Sequence, residues 1–347
     1  MSVLWTSTEA QAATRGRAIG VWSVTGISID TRTLQEGDLF VPLKDIRDGH
    51  DFIPKAYECG AGAVISERPM NDAPSLIVKD SLLALQDLAR AAVLRSTATR
   101  IAVTGSVGKT SVKEALAQVF TAYGQTHRSM KSFNNHWGVP LSLASMPRAT
   151  DFGIFELGMN HKGELLDLSG LVKPQTAIVT KIAPAHLEFF KSVTDIAKAK
   201  AEIFAGMAQG GTAILPADSP HFPILKDAAS HLRVLSFGRN DQATARIYDD
   251  FICPEYSTCK VEISGKSYRI KIPLSGTHHL ENAAVVLLTV YAQNLPLEIC
   301  LNILKKINKI AGRGMKYTLD IDGKKITLID ESYNANPESM AAALRTL

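Results

Sequence analysis

The chain has 347 residues, 46% of them hydrophobic and 21% charged, a composition for two or three globular domains with full cores. Its net charge of +4 is too small and too scattered to argue for nucleic acid, no apolar run is long enough to span a bilayer, and the N-terminus lacks the pattern of a secretory signal. Cys59, Cys253, Cys259 and Cys300 form no C-x-x-C pair, so they read as reduced thiols of a cytoplasmic protein, not as a disulfide frame or zinc site.

Residues 1–98 alternate short strands and helices. Strands are expected at 37–43 and 63–66. A helix at 51–59 is stopped by Gly60, and another at 82–94 leads to a boundary near Arg100. The run Ile101-Ala102-Val103-Thr104 then empties into Gly105-Ser106-Val107-Gly108-Lys109-Thr110-Ser111. Val112, Leu116, Val119 and Phe120 follow at the spacing of a helix with one buried face. Strand, glycine turn and helix in that order make a phosphate cradle: backbone N–H groups and the positive helix end meet the phosphate oxygens. Lys109 would reach the terminal phosphates and the Thr110 hydroxyl would hold Mg²⁺. The first glycine of the longer P-loop pattern falls on Val103, so this is the short G-x-x-G-K-T form.

Asn134 and Asn135 precede Gly138-Val139-Pro140 and can bind phosphate or substrate, or shape a turn. Strands at 151–155 and 176–180 run into polar residues, and ligands gather at such carboxyl ends of parallel sheets. Glu156, at the first of these ends, is either a Mg²⁺ or water-orienting acid or a solvated loop acid. His186, just past the second, is a metal ligand or a structural histidine. Ser192 and Asp195 open a helix on which Ile196, Lys200, Ile203 and Phe204 share one face. A lysine on that stripe must snorkel, pair, lose its proton or be modified, for instance by adding CO₂ to become an anionic carbamate. Asn282 opens the apolar helix containing 283–292 and offers adenine a donor and an acceptor, or caps the helix. Arg313, between two glycines, is a phosphate clamp or a surface hinge. Beyond it a hairpin is expected, with strands at 316–319 and 325–329 around a turn at Asp322-Gly323. A loop at 332–337 and a helix from about 338 complete the chain. These last pieces cannot bury their apolar faces alone, so they read as the opening of a third domain that is mostly absent.

Jointly these motifs resemble the Mur ligase family over essentially the whole chain. The resemblance rests on G-S-V-G-K-T-S at 105–111, N-N-H-W-G-V-P at 134–140, F-E-L-G-M-N at 155–160 and A-H-L-E at 185–188. It also rests on A-K-A-K-A-E-I-F at 197–204, G-T-H-H-L-E-N at 276–282, G-R-G at 312–314 and S-Y-N-A-N-P at 332–337. It implies an α/β protein with three parts: a UDP-sugar domain (1–98), a central ATP-binding domain on a parallel P-loop sheet (99–313), and the start of a Rossmann-like C-terminal domain (314–347). It further implies nucleotide contacts from Gly105 to Ser111, with Asn282 on adenine, Glu331 on ribose and Arg313 near the phosphates. Thr110, Glu156, His186 and Lys200 match metal-site positions, Lys200 as a carbamate beside a second Mg²⁺. Lys109, His186, Lys200 and Arg313 would be the catalytic set. Ser28, Asp30, Thr31, Arg32 and His50 match the UDP-sugar region, and Asn134 and Asn135 are added as substrate contacts. Three positions depart from the family pattern: Asp45 stands for a usual glycine, His279 for asparagine, and Glu331 for the second Asp of a pair.

The 185–188 and 332–337 motifs look most like the member acting last in the series. That implies ATP-dependent joining of D-alanyl-D-alanine to UDP-N-acetylmuramoyl-tripeptide through an acyl phosphate, by a cytoplasmic monomer that inserts in no membrane. Two alternatives stay open: a ligase with another acceptor, of the folylpolyglutamate synthase kind, and a nucleotide-binding module without ligase activity.

Overall fold

The computed structural model describes residues 2–185, 188–308, 310–333 and 337–344, the last segment with side chains from 340 onward. Its centre is a nine-stranded sheet built around Thr99–Thr104. Side chains of that strand alternate between two cores, as a strand covered on both faces requires. Ile101 and Val103 pack with Val112, Leu116 and Phe120 of the helix Lys109–Phe120 and with the apolar helix Thr277–Ala292. Ala102 faces the opposite layer, with Phe155, Ala177 and Ile196.

Thr99–Thr104 lies between Phe152–Glu156 and Thr176–Val179, parallel to both. From it the chain runs outward to the edge strand Thr126–Arg128 and back to Phe152–Glu156. It then crosses to Thr176–Val179, Thr212–Pro216 and Arg233–Gly238 on the other side, all parallel. The strand order therefore reverses at the expected phosphate loop, the place where parallel sheets leave a crevice. The parallel sheet expected over 99–313 does not continue throughout. Ala245–Ile252 is still parallel to its neighbour, but Ser257–Ile263 and Lys266–Ile272 extend the sheet antiparallel. Only Ser264 and Gly265 join the last two strands, both in the left-handed region (φ 51° and 74°). Two such residues close a hairpin and leave no length for a crossover.

The N-terminal segment forms a five-stranded sheet in the order Arg17–Ile19, Ser75–Ile77, Ala63–Ser66, Asp38–Phe40, Gly26–Ser28, parallel except for the first pair. The expected helix at 51–59 begins as a 3₁₀ turn, Gly49–Phe52, and continues as Ile53–Glu58. The helix Ser81–Leu94 is capped by Asp80, whose carboxylate accepts the Leu83 N–H at 2.8 Å. This helix packs on the central helix Gly138–Ala144. Trp5 bridges the same seam by donating its indole N–H to the Ala144 carbonyl at 2.9 Å. One hydrophobic core thus runs from Trp5, Leu85 and Leu88 through Val139 and Leu143 to Phe155 and Phe204.

After Arg313, Met315–Ile321 and Lys324–Asp330 pair as the expected antiparallel hairpin, and the helix Pro337–Leu344 follows. Among the described residues no helix is long and apolar enough to cross a membrane.

Candidate active site

A cleft of about 320 Å³ opens at the carboxyl ends of the parallel strands. Its floor is the 106–111 loop, its walls carry Asn134, Glu156, Thr180 and Asn282, and Arg313 and Glu331 reach it from the C-terminal side. The loop depends on two glycines. A Cβ on Gly105 (φ 151°) would lie 2.0 Å from Thr180 Oγ1, and one on Gly108 (φ 88°) 3.1 Å from Asn282 Oδ1. Neighbouring strands brace the turn. Ser106 Oγ donates to the Ala183 carbonyl at 2.8 Å and accepts its N–H at 3.0 Å, while Thr180 Oγ1 donates to the Val107 carbonyl at 2.5 Å. Ser106 is thereby committed to holding the loop, whereas Thr110 and Ser111 line the cleft in the first turn of the helix.

Lys109 folds back over the loop and donates to the Gly105 carbonyl at 2.8 Å. Burial depresses its pKa, and the Glu156 carboxylate works against that. Glu156 itself is buried, 1% exposed, which excludes the solvated-acid reading. Its Oε1 accepts from Asn134 Nδ2 at 2.7 Å, while Oε2 is buried without a hydrogen-bond partner among the described residues. A buried, unpaired carboxylate oxygen is costly unless a cation or donor meets it. With the Thr110 hydroxyl in the same cleft, this oxygen donor set fits a hard divalent cation. Among the described residues no three His, Cys, Asp or Glu side chains cluster for a metal. His186 lies outside the described residues.

The expected helix around Lys200 is present as Val193–Ala201 followed by a 3₁₀ turn, Glu202–Phe204, with Ser192 Oγ accepting the Asp195 N–H at 3.1 Å. Ile196, Lys200, Ile203 and Phe204 are all buried. At 1% exposure Lys200 does not snorkel, and among the described residues its amine makes no hydrogen bond or ion pair. Burial drives its pKa well down, and the nearby charge of Lys109 pushes the same way. It is not on the cleft wall but within electrostatic reach of it.

Asn282 lies in the second turn of Thr277–Ala292, whose N-cap is Gly276, so it does not cap the helix. Asn135 does shape a turn: its Oδ1 accepts the N–H groups of Trp137 at 3.2 Å and Gly138 at 2.9 Å. Arg313 stacks 4.6 Å above the Tyr333 ring, with its buried Nε unpartnered among the described residues. Burial raises the pKa of Glu331, opposed by Arg313.

The N-terminal residues form two separate groups outside this cleft. At the end of Gly26–Ser28, Ser28 Oγ accepts the Asp30 N–H at 3.2 Å. Arg32 grips Asp30 with Nε–Oδ1 at 2.9 Å and Nη2–Oδ2 at 2.7 Å, which holds the Asp30 carboxyl below its usual range. Thr31 sits in the same turn, and the charge of Lys131 from the central domain also acts on Asp30. His50 is different. It is buried, with Nδ1 on Asp48 Oδ1 at 2.6 Å and Nε2 accepting the Glu67 N–H at 3.2 Å. Both ring nitrogens bond to neighbouring loops, so in this structure His50 ties those loops together. Thr180, Lys181 and Phe237 also line the cleft and were not singled out from sequence. Their one available signal was position at the ends of strands.

Comparison with known proteins matches residues 103–290 to the Mur ligase middle domain and 23–104 to the Mur ligase family catalytic domain. The chain is 38% identical to the UDP-N-acetylmuramoyl-tripeptide–D-alanyl-D-alanine ligase of Rickettsia prowazekii, over 92% of this chain and 72% of that protein. It is 35% identical to the enzyme of the same name from Escherichia coli, over 94% and 72%. A crystal structure of MurF from Acinetobacter baumannii superposes with a TM-score of 0.89 at 29% identity, covering 99% of this chain and 76% of that one. The expected absence of most of a C-terminal domain is a larger statement than these shares support.

Proposed function

The chain belongs to the Mur ligase family, and from that premise we propose that it is an ATP-dependent carbon–nitrogen ligase of peptidoglycan precursor synthesis. It joins D-alanyl-D-alanine to UDP-N-acetylmuramoyl-tripeptide. The observation that carries this reading is the glycine-lined turn at the sheet's reversal point, facing a buried Glu156 carboxylate with one oxygen unmet among the described residues. Segments 1–98, 99–313 and 314–347 are read as substrate domain, ATP-binding domain and the start of a C-terminal domain. The protein is read as a cytoplasmic monomer.

In this reading the 105–111 backbone cradles the phosphates of ATP, and Lys109 swings from the Gly105 carbonyl onto the terminal ones. Arg313 adds a second positive charge from the C-terminal side, Asn282 meets adenine and Glu331 meets ribose. The tripeptide carboxylate attacks the γ-phosphorus, and ADP leaves an acyl phosphate. The amine of D-alanyl-D-alanine then attacks the acyl carbon and expels phosphate. Thr110 and Glu156 would hold a Mg²⁺ ion, with His186 as a further ligand. The metal would offset the negative charge gathered as carboxylate and triphosphate approach. Lys200, whose pKa burial drives well down, would add CO₂ with loss of a proton to give an anionic carbamate, which would help to hold a second Mg²⁺ and would attract Lys109. Ser28, Asp30, Thr31 and Arg32 bind the UDP-sugar end, while Asn134 holds the metal-site carboxylate.

Phosphate release that requires both UDP-N-acetylmuramoyl-tripeptide and D-alanyl-D-alanine, with the pentapeptide product seen by mass spectrometry, is the expected result. Equal release with a folate acceptor and glutamate would move the chain to the other ligase class. Nucleotide binding with no product from any acceptor would leave a binding module. ¹³C NMR under ¹³CO₂ should show a carbamate signal that vanishes in Lys200→Ala.

A further inference from the structure

Lys113 is as deeply buried as any residue in the molecule, at 0% exposure, and nothing in the reaction above uses it. It sits one helical turn beyond Lys109 on Lys109–Phe120. Its ammonium donates to the Ser129 carbonyl at 3.0 Å and the Lys131 carbonyl at 2.6 Å, and it pairs with Glu114 Oε1 at 2.7 Å. Those carbonyls belong to the segment leaving the edge strand Thr126–Arg128, where Lys131 takes a left-handed backbone (φ 46°). A non-glycine residue holds that conformation only where its surroundings impose it.

The same segment holds Glu156. Ser129 Oγ, buried, accepts the Glu156 N–H at 3.3 Å. Three residues beyond Lys131, Asn134 donates to Glu156 Oε1 at 2.7 Å, and its own carbonyl accepts the Gly158 N–H at 2.8 Å. Glu156 is therefore held at its backbone N–H and at one carboxylate oxygen by a stretch of chain whose start is fastened to the phosphate-loop helix by Lys113.

We infer that Lys113 is a positioning residue, which locks the 129–134 segment to the phosphate-loop helix so that Glu156 presents its free oxygen to the metal–nucleotide complex. This rests on the ATP- and metal-binding reading above. Two groups of the site, the Lys109 helix and the Glu156 strand end, then move as one body, and loss of the tie weakens metal–nucleotide binding without weakening nucleotide binding alone. Supporting groups of this kind typically change metal affinity by about 10- to 100-fold.

The test is calorimetric titration of ADP, with and without Mg²⁺, into the whole chain and its K113M and S129A variants. K113M should lose about tenfold in affinity for ADP with Mg²⁺ while metal-free ADP binds within about twofold of the parent. S129A, which removes only the hydroxyl under Glu156, should show the same selective loss to a smaller degree. Parent-like MgADP affinity in S129A, or equal losses with and without metal in either variant, overturns the inference. Should K113M fail to fold, S129A decides by the same criterion. An unmodified chain that binds ADP no more tightly with Mg²⁺ would instead bring down the functional reading, and this inference with it.

Discussion

Lys109, Glu156 and His127 show what a single side chain can be asked to do here. Lys109, proposed to neutralise phosphate charge, is held over the loop by the Gly105 carbonyl. Lys109→Ala should therefore cost roughly 100- to 1,000-fold in kcat for phosphate release, the usual size for losing one preorganised charge donor. Glu156→Gln keeps the shape and the Asn134 contact but removes the anion, so the Mg²⁺ concentration for half activation should rise more than about tenfold. His127 carries a pH prediction. Burial pushes its pKa from 6.5 down to about 4, with the Ser142 carbonyl, which its Nε2 meets at 2.7 Å, acting the other way. The unfolded chain then binds a proton that the folded chain refuses between those values, so stability falls as pH drops from 6.5 through 4 and is unaffected above. The urea midpoint should decline between pH 7 and pH 5, and less so in His127→Gln.

The elements that carry these side chains were readable where their pattern is local. The strand–turn–helix at 99–120, the Ser192 cap and the 315–330 hairpin all follow from spacing, caps and turn residues. Two loop positions turn that pattern into constraint. Gly105→Ala would drive a Cβ to within 2.0 Å of Thr180 Oγ1 in a backbone conformation that L-residues avoid. It should cost at least about 1–3 kcal/mol and abolish ADP binding, measured by urea denaturation and titration. The antiparallel strands 257–263 and 266–272 were not foreseen within the expected parallel sheet, because antiparallel or parallel direction is set by connection length and partner, not by residue type.

Across the whole molecule, the N-terminal and central segments are joined by one core and not merely by a linker. Trp5→Ala should remove a fully buried anchor and cost about 3–5 kcal/mol. Because the seam is shared, calorimetry should show residues 1–98 and the central sheet melting together; two separated transitions would contradict that. The sequence by itself determined the strand, glycine turn and helix at 99–120 and the helix face that buries Lys200, each written in residues close together along the chain, and the family, written in the joint order of motifs from 105 to 337. Only the tertiary structure decided that His50 bonds to neighbouring loops through both ring nitrogens, that Asn135 serves a turn, and that one Glu156 oxygen has no partner among the described residues. It also decided that Lys113, buried like Lys200, finds partners 16 and 18 residues away where Lys200 finds none among the described residues. The physical reason is that a polar group's role depends on which donors and acceptors the folded chain brings to it, and for His50, Glu156 and Lys113 some of those partners come from other elements.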